Sequence, residues 1–330
     1  MMSNTGGAYA VEVNDLHCRY GKVEAVDGLS FRVEPGRCYG LLGRNGAGKS
    51  TTIKCLLNLL RPDKGNVLVH GQDPRRHEVA VKRMIGYVPE NVTFHPWMTG
   101  AHVLRYFASF RSNWNRALQS DLAERFDLDL TKRVDGMSKG MRSQLALIAA
   151  VCPEPQLLLL DEPTSGLDPV VRRDFLQTVI GAYLDGDPGR RTVLVSTHLI
   201  SEWEGLIEEF TLVARGRAML SMPTDTAREK FRRLHVQLPP GTDAAETARG
   251  IGEVEDERST AGDVVKILAT DYPAANAEET LRARGATVTE VEPLSLEEIF
   301  IAVASMKKGE AAGGQATPVG ADVSPASGAQ

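Results

Sequence analysis

The sequence predicts an α/β fold built on a mainly parallel sheet, followed by a smaller α+β module. Three observations predict it. Strand-like and helix-like segments alternate from residue 38 to about residue 220. A glycine-rich loop at Gly43 stands between an apolar strand and a helical pattern. After Ser221 the pattern changes to short alternating strands around a helical stretch.

Taken in order, residues 9–13, 29–33 and 38–42 read as strands between Gly-rich or Pro-Gly turns. A helix is expected from about Lys49 to Leu60, stopping at Arg61 and Pro62. Residues 67–69 read as a short strand between Gly65 and Gly71. Residues 101–152 are mostly helical, because Val103, Leu104, Phe107 and Phe110 recur at helical spacing, as do Leu118, Leu122 and Phe126. Residues 157–160 form a continuous apolar run ending in Asp161-Glu162-Pro163, the pattern of a strand buried on both faces. Residues 193–196 repeat that pattern. Beyond Ser221, strands are expected at 234–238, 264–268 and 287–291, and helices near 277–284 and 296–306. The division is therefore a large domain over 1–221 with a helical part at about 90–152, and a small α+β domain over 222–308. Residues 309–330, rich in Gly, Ala, Ser and Pro, are expected to be a disordered tail.

Composition narrows the function. Over 330 residues, 42% are hydrophobic and 25% charged, which excludes wholesale disorder and collagen-like repeats. Residues 1–200 carry 25 Lys and Arg against 21 Asp and Glu, a balance that suits an anionic ligand. Residues 201–310 carry 13 against 21 and are acidic. No basic block has the look of a nucleic-acid arm. Cys18, Cys38, Cys55 and Cys152 have no CxxC spacing and lie in apolar segments, so reduced, buried thiols are expected rather than disulfides or metal ligands. The first ten residues lack the apolar core of a signal peptide, and the longest apolar run, 145–152, is far short of the ~20 residues that cross a bilayer. A soluble, cytoplasmic protein is expected.

Two motifs carry the chemistry. Gly43-Arg44-Asn45-Gly46-Ala47-Gly48-Lys49-Ser50-Thr51 fits G-x-x-x-x-G-K-S. The glycines let backbone N–H groups curl around phosphate oxygens, and the following helix aims its positive end at the same phosphates. Lys49 is expected to reach the β- and γ-phosphates, and Ser50 to ligate Mg²⁺. The second motif is the leucine run, which delivers Asp161 to the carboxyl edge of the sheet, where ligands of open α/β sheets sit. Asp161 is placed to hold Mg²⁺ through water, and Glu162 to act as general base on an attacking water.

These motifs resemble those of the ATP-binding subunit of an ABC transporter, and the resemblance covers about residues 9–220 with the motifs in family order. It implies a P-loop NTPase (RecA-like) core with an antiparallel β subdomain and a helical subdomain. Met137-Ser138-Lys139-Gly140-Met141 resembles the family signature, and Ser165-Gly166-Leu167-Asp168 resembles the D-loop. His198, after Ser196-Thr197, resembles the switch histidine that contacts the γ-phosphate. Tyr20 stands where the family places an aromatic that stacks on adenine; the plain alternative is packing beside a turn. Ser138 also reads as a simple helix cap, which is compatible with the signature role. The His95-Pro96-Trp97 stretch reads as local packing beside the Q-loop, or as a surface facing a partner.

Two positions depart from the family pattern. Glu90 replaces the Q-loop glutamine; it retains the capacity to ligate Mg²⁺ but adds negative charge beside the γ-phosphate. Lys139 and Met141 replace Gly and Gln in the signature, and the lysine either favours the phosphate or points outward. The Ser-Lys-Gly-Met form and the ending Leu294-Ser295-Leu296-Glu297-Glu298-Ile299-Phe300 are similar to an export-type branch whose membrane permease is a separate chain.

The resemblance implies ATP and Mg²⁺ as ligands, a second cassette and an integral membrane permease as partners, and a place at the inner face of the cell membrane through that permease. Each chain carries one copy of each motif, so a complete site takes two chains head to tail. Two rival readings remain beside it. One is a soluble ABC-type ATPase acting on nucleic acid or ribosomes; the single cassette, and the short separation of 88 positions from Lys49 to Met137 without heptads, stand against it, and no nucleic acid is expected. The other is a regulatory cassette with weak hydrolysis. The module at 222–308 reads equally as a regulatory or dimerising domain and as a stabilising accessory.

Overall fold

The structure is a computed structural model that describes residues 8–184, 191–256, 264–273 and 275–312. The chain opens with β1 (Val11–Tyr20), β2 (Val23–Val33) and β3 (Cys38–Leu42), then α1 (Lys49–Leu56) and β4 (Lys64–Val69). There follow α2 (Glu78–Met84), β5 (Ile85–Val88), α3 (Gly100–Ala108), α4 (Arg116–Arg125) and α5 (Lys139–Val151). Next come β6 (Leu157–Asp161), α6 (Pro169–Thr178), β7 (Thr192–Thr197), α7 (Ile200–Trp203), β8 (Glu209–Ala214) and β9 (Arg217–Pro223). The last part holds α8 (Thr224–Lys230), β10 (Arg232–Gln237), α9 (Ala244–Ala248), β11 (Gly252–Asp256), β12 (Val264–Ala269), α10 (Ala277–Ala283), β13 (Thr287–Pro293) and α11 (Leu296–Ala312).

The central sheet runs β5-β6-β7-β3-β8-β9, parallel except for the edge strand β9. The four leucines of β6 are fully buried, and their alternation sends them to two different cores. Leu157 and Leu159 join the core shared with α1 and with the antiparallel sheet β2-β1-β4. Leu158 and Leu160 join the core beneath α5, with Leu145 and Ile148. A strand covered on both faces must be apolar throughout, which is why the run shows no alternation.

β1 is longer than the expected strand at 9–13. Asp15 takes φ 45°, and the register shifts between Val13 and Leu16, so Val11, Val13, Leu16 and Cys18 stay buried although their spacing slips by one. α1 ends earlier than expected, at Leu56, because Asn58 turns left-handed at φ 54°. The cysteines are free and buried, with the Cys18 and Cys55 sulfurs 3.4 Å apart.

The C-terminal sheet runs β11-β12-β10-β13, all antiparallel, a split β-α-β-β-α-β arrangement. α9 and α10 cover one face, packing Ala248 and Leu281 on Leu234, Val236 and Ile267. α11 does not join that core. Its Leu296, Ile299 and Val303 pack with Trp203 of α7 and with Ala227 and Phe231 in the large core under the central sheet. Residues 309–312 continue α11, and residues 313–330 of the expected tail lie outside the described residues.

Candidate active site

The site forms where β3, β6 and β7 end side by side. Residues 43–48 turn from β3 into α1. Gly43 N donates to Thr197 O at 3.2 Å, fastening the turn to the end of β7. Glycine is required at two places. A Cβ on Gly43 would stand 2.3 Å from Val213 O, and one on Gly48, at φ 106°, would stand 2.5 Å from Ala25 O. α1 begins at Gly48 without a side-chain cap, so its first N–H groups face the concavity of the turn. Arg44, Asn45 and Gly46 form the exposed crest, while Ala47 and Thr51 are buried.

Lys49 lies under the turn. Its Nζ donates to Gly43 O at 2.7 Å and Arg44 O at 3.3 Å, and sits 3.0 Å from Glu162 Oε1. Both members of that ion pair are about 95% buried, an expensive arrangement outside a functional site. Ser50 Oγ donates to Asp161 Oδ1 at 2.9 Å, and Ser196 Oγ donates to the same oxygen at 2.9 Å. Burial pushes the Asp161 carboxyl upward; the two hydroxyl hydrogen bonds pull it down, and the charges of Glu162 and Glu90 add to the rise. Glu90 itself is exposed, two residues beyond the end of β5. The Tyr87 phenol is pushed up to about 12, by burial and then by Asp161 and Glu90.

Glu162 takes the left-handed conformation at φ 46°, where a non-glycine residue is strained. Its N–H donates to Ser196 O at 2.8 Å. Its Oε2 is met by His198 Nδ1 at 2.8 Å, His198 N at 3.3 Å and Thr197 Oγ1 at 3.3 Å. The residues at 43–51, Asp161, Glu162 and His198 thus converge on one place, with the charge of Glu90 felt at Asp161. Ser196 and Thr197 complete the cluster as the direct partners of the two carboxylates. Their signal in the sequence is a pair of hydroxyl residues at the end of an apolar strand, just before His198.

Among the described residues, the remaining motif residues make no side-chain hydrogen bond or ion pair with that cluster, although Ser165 N donates to Glu162 O at 3.2 Å. Tyr20 ends β1 with its side chain 47% exposed, ahead of the turn at Gly21. Ser138 caps α5, its Oγ accepting from Met141 N at 3.1 Å, and Asp168 caps α6, accepting from Val170 N and Val171 N. The signature and the D-loop meet each other, since Lys139 Nζ donates to Ser165 O at 2.5 Å. Among the described residues, no hydrogen bond or ion pair joins residues 138–141 to residues 43–51.

The chain is similar to several known proteins. The family described as "ABC transporter" matches residues 26–165. The daunorubicin resistance ATP-binding protein DrrA3 of Streptomyces coeruleorubidus is 37% identical over 224 residues, spanning 66% of this chain and 69% of that protein. The Nod factor export ATP-binding protein I of Rhizobium etli is 31% identical over 298 residues, spanning 88% and 92%. Among solved structures, an ATP binding subunit of an ABC transporter superposes with a TM-score of 0.60 at 28% identity, covering 66% of this chain and 92% of that one. A bacterial Atm1-family ABC exporter with ATP bound shares the fold at a TM-score of 0.58 and 22% identity, over 68% of this chain and 40% of that one. The α/β core with its antiparallel subdomain and this likeness agree: the chain belongs to the ATP-binding subunits of ABC transporters, ATPases that power transport.

Proposed function

We propose that this subunit drives export through a separate membrane permease, by closing head to tail on a second cassette with two ATP molecules between them. The observation that carries the pairing is internal to the chain. Among the described residues, residues 138–141 make no hydrogen bond or ion pair with residues 43–51, and the signature end of α5 is tied instead to the D-loop. One chain therefore supplies half of each of two sites.

In this reading the 43–51 turn and the start of α1 hold the phosphates, and Tyr20 stacks on adenine. Lys49 swings from Glu162 and the Gly43 carbonyl to the γ-phosphate. Ser50, Asp161 and Glu90 offer only oxygen donors, which fits Mg²⁺. When bound there, the ion would neutralise charge on the β- and γ-phosphates. Glu162 accepts the proton of the attacking water, and His198, already fixed on its Oε2, turns toward the γ-phosphate. Ser138 and Gly140 of the second chain close the site from the other side.

A groove of about 360 Å³ supports a docking place for the permease. It runs between the end of α1, β5 and α3, lined by Leu59, Tyr87, Pro89, Phe94 and Phe107. Beside it Trp97, Tyr106 and Phe110 are exposed, an apolar edge of the kind that marks a partner surface. No helix among the described residues is long and apolar enough to cross a membrane, so a place at the membrane depends on such a partner. Export is favoured by the names of the relatives above, which concern drug resistance and Nod factor export.

The test is Glu162→Gln. Hydrolysis should fall by about 10²–10⁴-fold, the range of a lost general base. Light scattering should show an ATP-dependent dimer that the unaltered chain forms only transiently. A variant that hydrolyses ATP normally removes Glu162 from the reaction, and one that binds ATP but stays monomeric removes the paired site.

A further inference from the structure

Lys139 occupies the first helical position after the Ser138 cap of α5, where the positive end of the helix dipole disfavours a cation. The side chain is exposed. Its Nζ donates to Ser165 O at 2.5 Å. On the other side Gly166 takes φ 70°, a conformation that favours glycine, and a Cβ there would lie in tight contact, 3.0 Å from the ammonium. One residue along α5 the spacing is equally tight: a Cβ on Gly140 would stand 3.1 Å from Val171 Cγ1 of α6. The starts of α5 and α6 therefore abut, and the lysine reaches the loop that leads into α6.

The loop that Lys139 reaches is anchored on its far side to the reacting end of the chain. Ser165 N donates to Glu162 O at 3.2 Å. Thr164 Oγ1 donates to Glu202 Oε2 at 2.6 Å. Arg172 spans from Leu167 O, at 3.1 Å, to Glu202 Oε1, at 2.8 Å. Glu202 lies on α7, which begins two residues after His198. A continuous set of contacts therefore runs from the signature lysine, through residues 164–167, to the segments that carry Glu162 and His198.

We propose that Lys139 is a positioning residue for hydrolysis, fastening this chain's signature to its own D-loop so that the two move as one edge. A partner engaging the signature then sets the loop that holds Glu162 and the segment after His198 in the same chain. The inference rests on the paired arrangement proposed above, but the tether itself lies within one chain. It assigns the ammonium to a carbonyl of its own chain and not to the γ-phosphate of the partner's ATP.

The test uses the full chain with Lys139→Ala and Lys139→Arg. Amide hydrogen exchange of residues 164–168, without nucleotide, should accelerate about tenfold in Lys139→Ala and stay near the unaltered rate in Lys139→Arg. The kcat should fall about tenfold in Lys139→Ala with KM for ATP within about twofold, and Lys139→Arg should restore it. Unchanged exchange overturns the tether. A raised KM with kcat preserved assigns the ammonium to the phosphate and overturns it as well. Pairing is read separately in Glu162→Gln protein with ATP. A dimer there, with exchange and kcat unmoved in Lys139→Ala, defeats the tether and leaves the pairing. A monomer there, with exchange still accelerated in Lys139→Ala, defeats the pairing and leaves the tether.

Discussion

At the carboxyl edge of the parallel sheet, Asp161 and Glu162 are 3% and 5% exposed, and their partners are a buried lysine, a histidine and short hydroxyls. On the antiparallel C-terminal sheet, Glu255, Glu292 and Glu298 surround Arg233 with 29%, 44% and 38% of their side chains exposed. Both places gather carboxylates around a cation, but only the first keeps them from water. Desolvated charge is costly and persists where chemistry uses it, whereas half-solvated charge costs little and serves as a joint. The joint here is specific. Ser295 and Glu298 form a capping box at the start of α11, with Glu298 Oε2 accepting from Ser295 N at 3.0 Å and Ser295 Oγ accepting from Glu298 N at 3.2 Å. Arg233 on β10 then links that helix end, which belongs to the cassette core, to the C-terminal sheet.

If the contrast holds, substitutions at the two places separate rate from stability. The largest effect is expected of Asp161→Asn. Asparagine keeps an oxygen for both Ser50 and Ser196 but loses the charge that fits a divalent cation. ATP hydrolysis should fall about 100-fold or more, and the Mg²⁺ needed for half the residual rate should rise. Burial raises the Asp161 carboxyl above its ordinary 3.8, so ionising it weighs against the folded chain once the pH exceeds that value. Removing the charge should leave Tm at neutral pH unchanged or higher. A variant with normal turnover and a Tm several degrees lower would make Asp161 a structural residue and erase the contrast.

Arg233→Met should do the reverse. It leaves three carboxylates facing one another without their cation, and it loses charged hydrogen bonds of the kind that contribute about 1.5–3 kcal/mol. At about 2–4 °C per kcal/mol, Tm should fall by several degrees, with kcat and KM for ATP unchanged below the transition. A normal Tm with altered turnover would make the C-terminal sheet part of the reacting machinery.

Much of this was legible in the sequence, and the remainder was hidden for physical reasons. The phosphate turn and the leucine strand are local signals, since the chemistry of each lies within nine consecutive residues or fewer. The extent of β1 was hidden by its bulge: the left-handed Asp15 shifts the buried positions from odd to even numbers, so the alternation stops at Val13 while the strand continues to Tyr20. The link from Thr164 through Glu202 to Arg172 joins residues 30 and more apart, and no periodicity encodes it. The apolar stripe of α11 is visible in the sequence, but its packing against α7 and α8 rather than on the sheet that precedes it is a choice of tertiary partner.

The smallest effect belongs to the capping carboxylate, and it is read through pH. The backbone N–H of Ser295, Arg233 and the Ser295 hydroxyl hold the Glu298 carboxyl down to about 2, against an ordinary value of 4.5. A depressed folded value means that the ionised group stabilises the fold above about 4.5, and that this contribution is lost as pH falls toward 2. Glu298→Gln should therefore lower Tm slightly at neutral pH, because glutamine keeps the reach but not the charge. The gap from the unaltered chain should hold down to about pH 5 and then narrow steadily between pH 4.5 and pH 3. A gap of constant size over that range would mean that the charge of Glu298 contributes nothing and that only the shape of the capping box matters.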